Sequence, residues 1–154
     1  IMSFTAEEIW SYLPHSDSDN SESIFLNQMP EKSGITFSDE FVKKWELIYS
    51  TRETVNKVLE EKRNEKVIGK SLEANIIIHS GGEMFEKYSQ LSDQLAEILI
   101  VSGVSVINDK DGETEFEVVR ATGEKCERCW VYSETVGKDS EHPTLCSRCA
   151  SVVK

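Results

Sequence analysis

Cys126-Glu127-Arg128-Cys129 is answered by Cys146-Ser147-Arg148-Cys149, and these two runs hold all four cysteines of the 154-residue chain. Each run is a C-x2-C, with residues 130–145 between them. A two-residue gap lets two thiolates of one tight turn point at a common centre. Two such turns supply the four sulfurs of a tetrahedral structural zinc site. The spacing falls in the range read as zinc-binding from sequence alone. Two disulfides would need an oxidising compartment, and nothing near Ile1 reads as a secretory signal. A redox C-x-x-C needs no second matched pair. Four thiolates leave no place for water or substrate. Cys126, Cys129, Cys146 and Cys149 are therefore expected to hold one structural, non-catalytic zinc per chain. Metal binding and folding of this tail should then be one event.

Outward from the cysteines, charge narrows the function. Asp and Glu number 28 against 17 Lys and Arg, a net charge of −11. A generic nucleic-acid coat is normally basic, so this balance argues against one, but it leaves room for a contact at one local patch. From Ala121 to Lys154 acids and bases balance, so the excess acid lies upstream. No apolar run reaches the roughly 20 residues that span a bilayer. With no targeting segment and with metal-suited thiols, the cytoplasm is the expected compartment. The opening Ile1-Met2-Ser3, directly before a helix signal, suggests a piece of a longer protein.

Thr5-Ala6-Glu7-Glu8 has the T-x-x-E form of a capping box. It predicts a short helix carrying Ile9, Trp10 and Leu13 and stopped by Pro14, with Trp10 packed on a neighbour. Residues 14–34, rich in Ser, Asp and Glu, read as a surface loop anchored by Ile24, Phe25 and Leu26, with His15 a solvated loop residue. Ser38 can cap a long helix to about Lys66. Phe41, Trp45, Ile48, Val55 and Leu59, with Arg52 among them, recur at helical spacing and predict one buried stripe. The charges opposite read as a solvated face with pairs such as Glu40–Lys44 and Glu53–Lys57; the sharper alternative puts Lys62, Arg63 and Lys66 near a phosphate backbone.

Ala74–His79, with its run of isoleucines, reads as a buried strand, and His79 as a packed histidine. Ser80-Gly81-Gly82 turns the chain into a helix through Leu99. A second strand covers Val101–Ile107 and a third surrounds Phe116 and Val118, joined by a hairpin turn at Asp109-Lys110-Asp111-Gly112. The expected architecture is α+β: a helical segment over 1–66, a small β-α-β-β domain over 67–120, and a C-terminal four-cysteine zinc ribbon over 121–154. No G-x-x-x-x-G-K-[ST], G-x-G-x-x-G or H-E-x-x-H is present, and no catalytic centre can be assembled from spacing.

Gly123-Glu124-Lys125-Cys126-Glu127-Arg128-Cys129-Trp130, followed by Cys146-Ser147-Arg148-Cys149, resembles the C-terminal zinc module of bacterial isoleucyl-tRNA synthetases. Ser3-Phe4-Thr5-Ala6-Glu7-Glu8-Ile9-Trp10 resembles the end of that family's helical anticodon-binding domain. The stretch Arg63 to Ala74, with Ile68-Gly69-Lys70-Ser71-Leu72-Glu73-Ala74, resembles the segment that follows. The resemblance implies a parent ligase that attaches isoleucine to its tRNA with ATP and Mg2+. The family's H-I-G-H-like and K-M-S-K-S-like motifs are not in this sequence, so the resemblance gives this piece tRNA anticodon recognition and no catalysis. It implies the four cysteines as zinc ligands and Arg128 and Trp130 as contacts to anticodon-loop nucleotides, with the tRNA and the remainder of the synthetase as partners. Single-stranded loop bases are read by stacking on aromatics and by arginine, which suits those two residue types. The alternative for Trp130 is that it packs over the sulfurs of a module with little core. Two other readings stay open: the zinc finger of a DNA-repair glycosylase, whose cysteine spacing is similar, and a non-enzymatic zinc-ribbon adaptor, which the acidic surface would suit.

Overall fold

The structure is a computed structural model and describes residues 2–29, 31–109 and 112–153. Contacts divide the chain into two units, Ile1–Ser38 and Asp39–Lys154.

In the first unit, helix α1 spans Ser3–Tyr12. It starts earlier than the capping box predicts. The Ala6 N–H donates to the Met2 carbonyl at 2.8 Å, so the first turn is closed before Thr5 can cap it, and the cap position Met2 offers no side-chain bond. The helix ends at an extended Leu13, the conformation favoured before Pro14. Trp10 does find neighbours: its indole N–H donates to the Asn20 carbonyl at 3.1 Å and its ring lies 4.5 Å from that of His15. The loop is organised by short-range polar bonds. Ser23 Oγ caps the 3-10 turn Ile24–Leu26, and Asn27 bonds back to Asn20 through both its amide atoms. Phe25 and Leu26 are exposed and do not anchor the loop as expected; Ile24 is half-buried.

In the second unit, helix α2 runs from Asp39 to Asn64. From its middle onward one face is buried through Ile48, Thr51, Val55 and Leu59. Phe41 and Trp45 fall on the predicted stripe yet remain 43% and 36% exposed, their rings 6.2 Å apart. Periodicity tells which way they face but not what covers them. The basic end is tied to local acids, Lys62 to Glu65 at 2.7 Å and Arg63 to Glu60.

Strand β1 (Ala74–Ser80) follows, with Ala74, Ile76, Ile78 and Ser80 buried on alternate positions. Gly81-Gly82 turn into helix α3 (Gly82–Leu99), which closes on a left-handed Ile100. Gly82 itself sits at φ +54°, a conformation that favours glycine. Strands β2 (Gly103–Asn108) and β3 (Glu115–Arg120) complete a sheet of order β2-β1-β3. β2 runs parallel to β1 (Ile76 opposite Val104) and β3 antiparallel (Ile76 opposite Val118). The expected hairpin between β2 and β3 is therefore absent. The crossover through α3 brings β2 back along one edge of β1, and β3 takes the other edge. Lys110 and Asp111 of that turn lie outside the described residues. α2 packs on β3, α3 on β2, and the helices meet where Thr51 Oγ1 and the buried Tyr88 hydroxyl bond at 2.8 Å. His79 is not packed among apolar groups. It lies between Asp109 (Nδ1–Oδ2 2.8 Å) and Glu117 (Nε2–Oε2 3.3 Å).

Among the described residues no helix is long and apolar enough to cross a membrane.

Candidate metal centre

The final module is built on strands too short to bury anything. β4 (Glu124–Lys125) and β5 (Tyr132–Ser133) pair antiparallel, and helix α4 (Ser147–Val153) closes the chain. Gly123 opens the module at φ +85°, where a Cβ would stand 2.4 Å from the backbone carbon of Ser133; only glycine allows that approach. The first knuckle is folded by its own backbone: Trp130 N–H donates to the Cys126 carbonyl and Cys126 N–H to that of Val131, both at 2.9 Å. The second is the first turn of α4, where Ala150 N–H reaches the Cys146 carbonyl at 2.9 Å. A cross-link joins them, since Glu127 N–H donates to the Thr144 carbonyl at 3.2 Å.

These turns bring all four cysteines together, with every Sγ within 4.8 Å of the others. Cys126 is fully buried, and Cys146 and Cys149 nearly so. The Cys129 and Cys146 sulfurs are 3.8 Å apart. A tetrahedral zinc with Zn–S bonds near 2.3 Å requires sulfurs roughly 3.8 Å apart, which this pair matches. The electrostatics are arranged for charge on sulfur. Burial pushes the Cys126 thiol up, but backbone N–H groups of Cys129, Cys146 and Arg128 outweigh it and bring it down to about 6. One of these is the Cys146 N–H, 3.3 Å from Cys126 Sγ. The Arg128 guanidinium, donating to Cys149 Sγ at 3.7 Å, holds that thiol below its ordinary value. Burial drives Cys146 the other way, up to about 11. Backbone and guanidinium donors favour the thiolate form at Cys126 and Cys149, the form in which cysteine binds a metal.

Trp130 follows the knuckle in the left-handed region, φ 64°, and is 59% exposed. It is not among the residues that make up the buried cluster of cysteines. Lys125 Nζ stands 5.4 Å from its ring centroid. Arg128 is exposed on the same knuckle. The module is fastened to the sheet by Ser102, which accepts from Tyr132 N–H at 2.8 Å and donates to the Leu72 carbonyl. Sequence reasoning gives no role to Ser102, and nothing in its local pattern marks it. Nor does it show that Arg128 reaches the opposite knuckle.

Comparison with known proteins places this geometry. Residues 123–152 match the family described as "Zinc finger found in FPG and IleRS". That description names two kinds of protein and does not choose between them. Residues 1–78 match "Anticodon-binding domain of tRNA ligase", just over half of the chain. The chain belongs to the tRNA-ligase anticodon-binding family. Its relatives include the isoleucine–tRNA ligase of Bacillus mycoides (strain KBAB4), 44% identical over 163 residues, and those of Bacillus cereus strains B4264 and AH187, each 42% identical. Each comparison covers 100% of this chain but 17% of the relative, so the chain spans about a sixth of the length of the curated relatives it matches. Within this anticodon-binding family the module described here is a zinc finger, and its four-cysteine cluster makes the metal a structural zinc.

Proposed function

We propose that this chain is the anticodon-recognising part of an isoleucine–tRNA ligase, with Cys126, Cys129, Cys146 and Cys149 as the zinc ligands and Arg128 and Trp130 as the residues that meet anticodon-loop nucleotides. The supporting observation is the exposed Trp130, directly after a metal knuckle whose backbone bonds hold its main chain in place. With the backbone held, only the side chain has to be ordered when a base stacks on the ring. Arg128 brings positive charge to the same knuckle. ATP- and Mg2+-dependent formation of the aminoacyl-adenylate belongs to other parts of such a ligase, in the cytoplasm. This piece contributes binding and no catalytic group. Its functional modules are 1–66 for the end of the helical anticodon-binding domain, 67–120 for the α+β segment and 121–154 for the zinc module. Helix α2, from the first of these, packs on β3 of the second.

At a net charge of −11 most phosphate affinity has to come from elsewhere in the ligase, so the chain alone binds weakly. The test is a fluorescence titration with an isoleucine anticodon stem-loop and with the same stem carrying a scrambled loop. Trp130→Ala should weaken binding to the first by about 1–3 kcal/mol and leave zinc content unchanged. Equal affinity of the variant and the parent chain would remove Trp130 from the RNA face. A submicromolar dissociation constant at physiological salt would show that the phosphate contacts lie in this piece after all.

A further inference from the structure

Lys125 and Trp130 flank the first knuckle, and the knuckle's own backbone brings them together. Trp130 N–H closes on the Cys126 carbonyl and Cys126 N–H on that of Val131, both at 2.9 Å, so the chain leaves the turn beside the strand by which it entered. The Lys125 ammonium then lies over the Trp130 ring, 5.4 Å from its centroid. That is inside the roughly 6 Å over which a cation is attracted to an indole face. Lysines elsewhere in the chain take a different neighbour. Lys62 and Lys87 each sit on a glutamate of the adjacent helical turn, at 2.7 and 2.8 Å. Lys125 has Glu124 and Glu127 close in sequence, yet among the described residues it is in no ion pair. The other cation of the knuckle is engaged across the centre, where Arg128 Nη1 donates to Cys149 Sγ at 3.7 Å. The indole, 59% exposed, therefore has a lone cation over one face and is otherwise largely open.

Bases stack on any free aromatic face, whatever their identity. A cation over one face of the indole leaves a single face for that, and every base brings a phosphate with it. We propose that Lys125 and Trp130 form a one-sided platform for a single unpaired RNA nucleotide: one base stacks on the open indole face, and the Lys125 ammonium donates to the phosphate beside it. The four-carbon stem lets the methylenes stay on the ring while the ammonium reaches past its rim. In a chain of net charge −11, a cation with no carboxylate on it can meet a phosphate without first giving up an ion pair. The platform rests on the reading of Trp130 as the stacking residue, and adds which face the base takes and what holds its phosphate.

The full chain, Lys125→Met, Lys125→Arg and Trp130→Ala are titrated with a fluorescently labelled anticodon stem-loop at several salt concentrations, and zinc content is measured on each. Lys125→Met keeps an apolar stem over the ring and removes the charge. It should bind about 2- to 5-fold more weakly at low salt. The slope of log affinity against log salt should flatten by about 0.7, the loss of one single-strand phosphate contact. Zinc content should stay that of the parent chain, and Lys125→Arg should hold the parental slope. Lys125→Met with the parent's affinity and slope would overturn the platform. Weaker binding with an unchanged slope would overturn it too, since Lys125 would then only shape the ring. So would tighter binding, because the ammonium would be occupying the face the base needs. Trp130→Ala reports on the stacking reading separately. If it weakens binding while Lys125→Met does not, stacking stands and the platform falls. If it binds like the parent, the ring carries no base, and any slope lost in Lys125→Met belongs to a phosphate contact made without the ring.

Discussion

The body formed by α2, α3 and the three-stranded sheet encloses Val55, Leu59, Ile76, Ile78, Leu95 and their neighbours. The zinc module encloses Cys126, Cys146 and Cys149, with Cys129, Leu145 and Val136 packed beside them. The first interior closes because two helices and a sheet present enough apolar surface to one another. The second has strands of two residues and one short helix, too little to close by burial alone. The same chain therefore contains one region stabilised by apolar burial and another by a metal. The metal-held region is the one that can carry an exposed Trp130, because its side chains are not needed for a core.

The sharpest way to break this contrast is to take the metal away. Cys126→Ser, or stripping with a chelator, should unfold residues 121–154 and leave the sheet body folded, since structural zinc in small modules contributes about 10–16 kcal/mol of folding free energy. Limited proteolysis should then cut beyond β3, while the urea transition of the body keeps its midpoint. A module that stays protected without metal would show that its few apolar contacts suffice. The converse change is Ile76→Ala, at a fully buried position in the central strand. It should cost the body about 2–5 kcal/mol in urea unfolding and leave zinc stoichiometry unchanged. Loss of metal in that variant would mean that the module depends on the body for its fold.

The two regions also differ in how far they can be read from sequence. The zinc site is legible because ligand spacing within a turn is a local property, and Cys126, Cys129, Cys146 and Cys149 do converge. β1 and α3 are legible because Ile76 and Ile78, and Tyr88, Leu91, Leu95 and Leu99, follow one period each. Pairing is not local. Asp-Gly suggests a hairpin, but the strand that β3 joins is β1, on the edge opposite to β2. Thr5 meets the capping pattern and loses to a turn closed earlier by Met2 and Ala6. His79 looks like a packed residue from its apolar neighbours along the strand, whereas its partners come from β3 and from beyond β2. Arg128 is visible in the sequence, but its crossing to the opposite knuckle is visible only in the fold.

A smaller change probes the joint between the regions. Ser102 Oγ links the Tyr132 N–H of β5 to the Leu72 carbonyl ahead of β1. Ser102→Ala leaves that N–H without its acceptor at a cost of about 1 kcal/mol. Hydrogen exchange at Tyr132 should quicken while amides within β1 keep their protection. If the β1 amides quicken too, the joint supports the sheet as well as the module.

The smallest effect expected comes from His79, on the body and far in sequence from the metal. Its hydrogen bond to Asp109, then that to Glu117, raise its pKa above the ordinary 6.5. A histidine whose folded value is raised stabilises the fold fully below its unfolded pKa and loses that contribution as pH rises through the folded value. Both carboxylates are about half exposed, so the pair is screened and the gain is slight. His79→Gln should lower the melting temperature of the body at a pH below the histidine's unfolded value and make almost no difference well above its folded one. The sign is the informative part. An advantage for the parent chain that grows with pH would require a neutral His79, bonded to its neighbours as an imidazole, and the ion pairs that join β1 to Asp109 and β3 would then not be ionic.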